Sequence, residues 1–233
     1  MRVPTRVAVP TVLLLALSAC SAHRPAQAER PLRAALTTPT DVDLKWRDDR
    51  AAVAGHVLEF ATAAQGPYTV LQYLDRGVTA YRHPDLMPDT TFYYRLRTYR
   101  GPASRPVHVD LPAGGWTAEE ENADHDWLPA RTRPGHQGAQ RALPAGAPTG
   151  LRAVVKDANG ILFTWTDNSA DEDGFLLEIR RQGSTAYAPV AVLDPDINST
   201  GLVTLPEEKH ASYRIRAFAF GERSNVVHLT TGE

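Results

Sequence analysis

The chain has 233 residues, with 25 Lys and Arg against 27 Asp and Glu and a formal balance of −2; this excludes a basic nucleic-acid footprint as a global property. Hydrophobic residues make up 42% and charged residues 22%, ordinary usage for one or two globular domains and unlike the composition of a disordered chain. One cysteine excludes an intrachain disulfide and any multi-cysteine zinc or iron–sulfur centre.

At the N-terminus, Arg2 and Arg6 precede an apolar run from Val7 to Leu17. That run is shorter than the ~20 residues a transmembrane helix needs. It has the charged and apolar regions of an export signal. Leu17-Ser18-Ala19-Cys20 follows and resembles the lipobox of bacterial lipoproteins. The resemblance implies a signal peptide over 1–19, cleavage before Cys20, and a diacylglycerol on the Cys20 sulfur. Cleavage removes Arg2 and Arg6 and no acid, taking the balance from −2 to −4. Each buried acyl CH₂ is worth about 0.8 kcal/mol, so several chains make a firm tether. Ser21 rather than Asp after the cysteine implies outer-membrane sorting if the cell has two membranes. Residues 20–31 are a polar tether.

Short alternating runs come next. Val42, Leu44 and Trp46 share one face, then His56, Leu58 and Phe60, then Val70 and the Leu71–Leu74 stretch. Phe92, Tyr94, Leu96 and Thr98 alternate with Tyr93, Arg95 and Arg97, and Val107 and Val109 close the set. Later in the chain, Ile161, Phe163 and Trp165 share a face, as do Phe175, Leu177 and Ile179, and then Tyr213, Ile215 and Ala217. Val226, Val227 and Leu229 form the last run.

The two sets are copies of one unit. Trp46 and Trp165 are 119 apart, as are Gly55 and Gly174, Glu59 and Glu178, Tyr94 and Tyr213, Arg95 and Arg214, and Arg97 and Arg216. Units of about 80 residues with around seven strands predict β-sandwiches. Trp46, Tyr94, Trp165 and Tyr213 are the expected core, and truncating either Trp predicts a loss of about 3–5 kcal/mol.

Both copies resemble fibronectin type III domains. The resemblance rests on a strand ending in Trp, then Gly-aromatic-x-aliphatic-Glu in Gly174–Glu178, and Tyr-Arg-aliphatic-Arg at Tyr94–Arg97 and Tyr213–Arg216. Leu86-Met87-Pro88-Asp89-Thr90-Thr91-Phe92 matches the family's Leu-x-Pro-x-Thr-x-Tyr except at Phe92. Copy two has Leu205 in place but Ala211 at the tyrosine position. The resemblance therefore implies an all-β chain of two immunoglobulin-like sandwiches, both without the hydroxyl that pins the corner between strands E and F. The implied domains are 32–111 and 148–233, joined by an irregular linker over 112–147. The linker is rich in Pro, Gly, Ala and charge, and a flexible chain of that length spans on the order of 30 Å. Thr117 and Glu120 fit a capping box, predicting a short helix between Ala118 and Asp126. Trp116 and Trp127 stand out in it as a partner motif or as anchors onto a sandwich.

Candidate chemistry is sparse. Glu59 with Arg95 and Arg97, repeated as Glu178 with Arg214 and Arg216, reads as cross-strand charge pairing worth about 0.2–1 kcal/mol per pair. Asp167, Asn168, Asp171, Glu172 and Asp173 offer hard oxygen ligands, but their spacing does not match the twelve-residue Ca²⁺ loop. Turn chemistry accounts for them, and no metal or cofactor is expected. His125 reads as a solvated linker residue, and Asn198-Ser199-Thr200 as a sequon in an unmodified loop. No catalytic or nucleotide-binding signature appears.

The expected function is a non-enzymatic surface lipoprotein of the bacterial envelope, facing outward on a membrane through Cys20. It would bind or space an envelope protein or polysaccharide, with no nucleic acid as partner. The alternative is a carbohydrate-binding accessory to a secreted glycoside hydrolase, with Trp116, Trp127, Tyr93 and Tyr99 as rings that could stack on sugars.

Overall fold

The computed structural model describes residues 32–47, 52–138 and 146–233. In copy one the strands are β1 (Arg33–Leu36), β2 (Val42–Lys45), β3 (Gly55–Ala61), β4 (Thr69–Asp75), β5 (Ala80–His83), β6 (Thr91–Arg100) and β7 (Val107–Asp110); the alternating runs supply all of these but β1 and β5. A one-turn helix, α1 (Ala118–Glu121), follows. Copy two supplies β8 (Thr149–Val155), β9 (Gly160–Thr166), β10 (Gly174–Arg181), β11 (Ala188–Leu193), β12 (Ser199–Val203), β13 (His210–Arg223) and β14 (Val227–Thr230). The fold is all-β, with two sandwiches.

In each sandwich a three-stranded sheet covers a larger one. Sheets β1-β2-β5 and β8-β9-β12 form the small layers. The first sandwich buries Val42, Leu44, Trp46, Leu58, Tyr94 and Leu96 together, and the second buries Ile161, Phe163, Trp165, Phe175, Ile179 and Tyr213. The four residues expected to form the core are all buried, Trp165, Tyr94 and Tyr213 completely.

The larger layers are not separate. They form one eight-stranded sheet in the order β11-β10-β13-β6-β3-β4, with β14 also on β6 and β7 also on β13. The closing strands are thus exchanged between the copies. β7 pairs with β13, Val107 opposite Tyr213 and Val109 opposite Ala211. β14 pairs with β6, Val227 opposite Tyr94 and Leu229 opposite Phe92. Val109 and Leu111 enter the core of the second sandwich, while Val227 and Leu229 pack on the core of the first. The boundaries read from the sequence, 32–111 and 148–233, put each closing strand in its own copy, whereas the pairing puts it in the other.

The cause lies where β6 and β13 end. Both run on beyond their own sandwich and pair with each other, Arg100 opposite Ala219 and Tyr99 opposite Phe220. Gly101, at φ 143°, crosses so close to β13 that a Cβ would lie 2.0 Å from the Ala217 carbonyl oxygen. Ser104 then clamps Ile215, its N–H donating to the Ile215 carbonyl at 2.8 Å and its Oγ accepting from the Ile215 N–H at 3.1 Å. Ser224 does the same to Leu96, at 2.8 and 2.9 Å. Leu96 and Ile215 are repeat equivalents, and each clamp is preceded by a Gly-x-x-Ser step, Gly101–Ser104 and Gly221–Ser224.

A third apolar cluster, Val57, Tyr99, Leu176 and Phe218, fills the junction. These too are equivalents, Val57 with Leu176 and Tyr99 with Phe218, so the junction is close to two-fold symmetric. Tyr213 corrects one expectation. Its hydroxyl donates to the Glu208 carbonyl at 3.1 Å, so copy two does pin its corner, from a tyrosine two residues after Ala211. The equivalent Tyr94 instead meets His83 Nδ1 at 3.0 Å.

Candidate functional site

The described linker is not a free chain but is laid down on the second sandwich. Lys209 Nζ, next to β13, donates to the carbonyls of Pro112, Gly114 and Ala158 at 3.1, 2.5 and 2.6 Å and holds the linker's start. Thr117 caps α1 through the expected box, with Glu120 Oε2 accepting from the Thr117 N–H at 2.8 Å. The helix stops at Glu121, because Asn122 turns back to donate to the Ala118 carbonyl.

Trp116 donates its indole N–H to Asp157 Oδ1 at 2.5 Å and stacks on His125, centroids 4.6 Å apart. His125 meets Trp127 edge-on at 5.6 Å, so it is a half-buried ring between two indoles and not a solvated linker residue. Trp127 is buried. It sits over Gly160 and Gly201, where a Cβ would approach its ring to 2.5 and 2.7 Å. These glycines make the seat, which fixes Trp127 as an anchor onto the sandwich. Beyond it the linker runs along β12: the Gly201 N–H donates to the Leu128 carbonyl and the Arg131 N–H to the Ser199 carbonyl. Asn198 of the sequon is fully buried and grips Arg133 through both ends of its amide, at 2.6 and 3.1 Å. His136 and Gly138 then bond the backbone of Asp167.

Of the other two rings proposed for binding, Tyr99 is completely buried in the junction, its hydroxyl donating to the Leu74 carbonyl at 3.1 Å. It presents no face to a ligand. Tyr93 is half-buried and stacks on His228 of β14, centroids 5.5 Å apart. Cys20 lies outside the described residues, and no helix among those described is long and apolar enough to cross a membrane.

The charge pairs occupy the outer face of the large sheet, as their repeat suggested, except that Arg97 does not join Glu59: its guanidinium lies over the Phe220 ring, 3.9 Å from the centroid. Glu59 accepts from Arg95 Nε at 2.5 Å, with Tyr68 beneath the guanidinium. Glu178 accepts from Arg214 and, at 2.8 Å, from Arg216, with Tyr187 beneath Arg214. Tyr68 and Tyr187 are a further pair at the repeat offset. Glu178 is only 1% exposed, and Arg216 also donates to the Gly101 carbonyl at the crossing. This group braces the junction, and breaking one member would strand a buried charge.

The exchange also creates a polar edge that neither copy holds alone. His108 and Asp110 of β7 meet His210 and Ser212 of β13. Asp110 bonds His210 Nδ1 at 2.9 Å and lies 3.3 Å from His108 Nε2, while His108 Nδ1 is 3.4 Å from Ser212 Oγ. The His210 bond, foremost, holds Asp110 below the usual carboxylate range. The order Ser–His–Asp suggests a nucleophile relay, but such a relay needs a buried carboxylate to orient the imidazole. Here the Asp110 and His108 side chains are 64% and 60% exposed.

Copy two also gathers acids at one end. Asp167 is fully buried at the end of β9, beside Glu172, and Asp196 comes in from the turn between β11 and β12. One carboxylate oxygen from each lies within 4.8 Å of the others. Asp196 carries no sequence signal linking it to the Asp167–Asp173 run. Burial pushes the Asp167 carboxyl above its ordinary value, with Glu172 and Asp196 adding to the rise against the Ser169 N–H and the Gln137 side chain.

No protein-family model matches the chain, and no curated protein sequence matches it. Solved structures do. The sixth fibronectin type III domain of human fibronectin type III domain containing protein 3 aligns at 18% identity, TM-score 0.26, over 30% of this chain and 65% of that one. A two-domain fibronectin type III segment of chicken tenascin aligns at 14% identity, TM-score 0.27, over 86% of this chain and 96% of that one. The FN1–FN3 domains of chicken CNTN1 align at 11% identity, TM-score 0.29, over 87% of this chain and 65% of that one. The chain thus spans just under two thirds of the first and third of these.

Proposed function

We propose that the chain is a non-enzymatic lipoprotein of the bacterial envelope, held by acylated Cys20 and facing outward, that binds or spaces an envelope protein or polysaccharide. In a cell with two membranes the anchor is the outer one. The observation that carries this reading is the exchange of β7 and β14, which joins two interaction-type sandwiches through one continuous sheet. A spacer must keep its far end at a set distance, and two modules sharing strands cannot swing like beads on a linker. The linker, laid on the second sandwich, adds to that rigidity. The carbohydrate-accessory alternative loses two of its four rings, since Trp127 and Tyr99 are buried.

Metabolic labelling with a fatty acid, followed by crosslinking on intact cells, tests the reading. Label on the parent and none on Cys20→Ala, with a reproducible envelope partner, is the expected result. An unlabelled, freely released parent chain would overturn the anchor, and the absence of any reproducible crosslink would overturn the binding role.

A further inference from the structure

We infer that Asp167, Glu172 and Asp196 form a site for a hard divalent cation of calcium's size, which locks the linker strap onto the second sandwich. Asp167 Oδ2 and Glu172 Oε2 are both enclosed without a hydrogen bond. Their partner oxygens are already engaged, Asp167 Oδ1 by the Ser169 N–H at 2.9 Å and Glu172 Oε1 by the Asp196 N–H at 3.1 Å. The free oxygens therefore have a fixed direction. Burying an unpaired carboxylate oxygen is costly, and the two charges that bear on Asp167, those of Glu172 and Asp196, are both negative, opposed by the neutral Ser169 N–H and Gln137 side chain and by no cation among the described residues. A bound cation resolves all three. The 4.8 Å limit on the separations fits oxygens sharing one ion, because ligands about 2.4 Å from Ca²⁺ lie at most ~4.8 Å apart.

Turn chemistry explains only the rest of the acidic run. Asp173 Oδ2 accepts from the Phe220 N–H and Asp171 Oδ1 meets Ser169 Oγ. The sandwich itself does not require Glu172 or Asp196. At the repeat offset, Glu172 and Asp196 correspond to Val53 and Gly77 in copy one, which forms the same strands without them.

The position gives the ion a role. The strap crosses both loops that supply ligands. Thr132 Oγ1 donates to the Asp196 carbonyl at 2.7 Å, and the Gly138 N–H donates to the Asp167 carbonyl at 2.5 Å. An ion joining the loops fixes both ends of 132–138 at once.

Calorimetric titration of CaCl₂ into the EDTA-stripped full chain tests the proposal. One equivalent should bind with Kd on the order of 10⁻⁴ M, the range of extracellular calcium modules. Binding should raise Tm and slow tryptic cleavage after Arg131, the arginine of the strap not followed by proline. Asp196→Ala, at an exposed position, should weaken binding at least tenfold while keeping the fold, and Asp167→Asn should abolish it. If Asp167→Asn does not fold, Asp196→Ala decides alone. No heat and no Tm shift at about 10 mM CaCl₂, or equal affinity in Asp196→Ala, would overturn the site. Binding that leaves cleavage unchanged would overturn the role in the strap.

Discussion

Gly55 shows how one missing methyl positions two sandwiches. A Cβ there would sit 2.2 Å from both the Leu74 carbonyl oxygen and the Tyr99 hydroxyl, and one at Gly174 would sit 2.4 Å from the Leu193 carbonyl oxygen and 3.1 Å from the Phe218 ring. The two repeated glycines thus admit the two repeated junction rings. Gly55→Ala is expected to cost about 1–3 kcal/mol by overpacking, while Gly77→Ala, whose Cβ would meet nothing closer than 3.5 Å, should be near neutral. Urea denaturation of the pair gives the comparison, and equal midpoints would contradict it. His83 makes a second residue-level prediction. It packs against Phe60 and Phe92 with Tyr94 at its Nδ1, and burial lowers its pKa from the ordinary 6.5. The folded state therefore prefers neutral His83. Its contribution is complete above the unfolded value and fades as pH falls through the lowered folded value. The stability advantage of the parent over His83→Gln should shrink as pH falls below the ordinary 6.5, and a pH-independent difference would count against it.

At the scale of elements, the exchanged strands are the feature most open to direct test. His108 lies opposite Ser212 in the exchanged pairing. If β7 stayed in its own copy, the repeat offset would place it opposite Tyr93. Facing residues of antiparallel strands have Cα atoms about 4.5–5.5 Å apart, within disulfide range. With Cys20→Ser to remove the native thiol, His108→Cys with Ser212→Cys should form an intrachain disulfide, visible as a non-reducing gel shift. His108→Cys with Tyr93→Cys should not, and the reverse pattern would refute the exchange. Nine of the strands were legible because period-two alternation names a buried face, and the constant offset tied β9, β10 and β13 of copy two to their equivalents, whereas β1, β5, β8, β11 and β12 carry no run that was singled out. Alternation does not say which partner covers that face. Val107 and Val109 are as apolar as Val227 and Leu229, so either pair suits either core. The Gly-x-x-Ser steps at 101–104 and 221–224 were the available signal. Tyr99 escaped for a related reason: its outward-facing side of the sheet is buried only because the second copy lies against it. Asp196 was invisible beside Glu172 because the fold, not local spacing, brings them together.

For the whole molecule, exchange turns two domains into one cooperative unit. Each core holds a strand from the other copy, and Tyr99 and Phe218 close the junction with Val57 and Leu176. Unfolding the first sandwich releases β14 and uncovers that junction. It also frees the start of the segment that carries β7, so the second core loses Val109 and Leu111. Trp46 and Trp165 lie in separate cores and can report on each. In variants keeping one of the two, with Trp116 and Trp127 also replaced by Phe, the fluorescence transitions in urea should coincide, as a two-state unit requires. The slope should match the surface of the whole body and not of a single sandwich, because m scales with the area exposed. Leu176→Asp, placing a charge in the junction, should lower the midpoints reported by Trp46 and Trp165 together. Two separated transitions in the parent, or a shift confined to the Trp165 report, would mean that the sandwiches unfold independently and that the shared strands do not couple them.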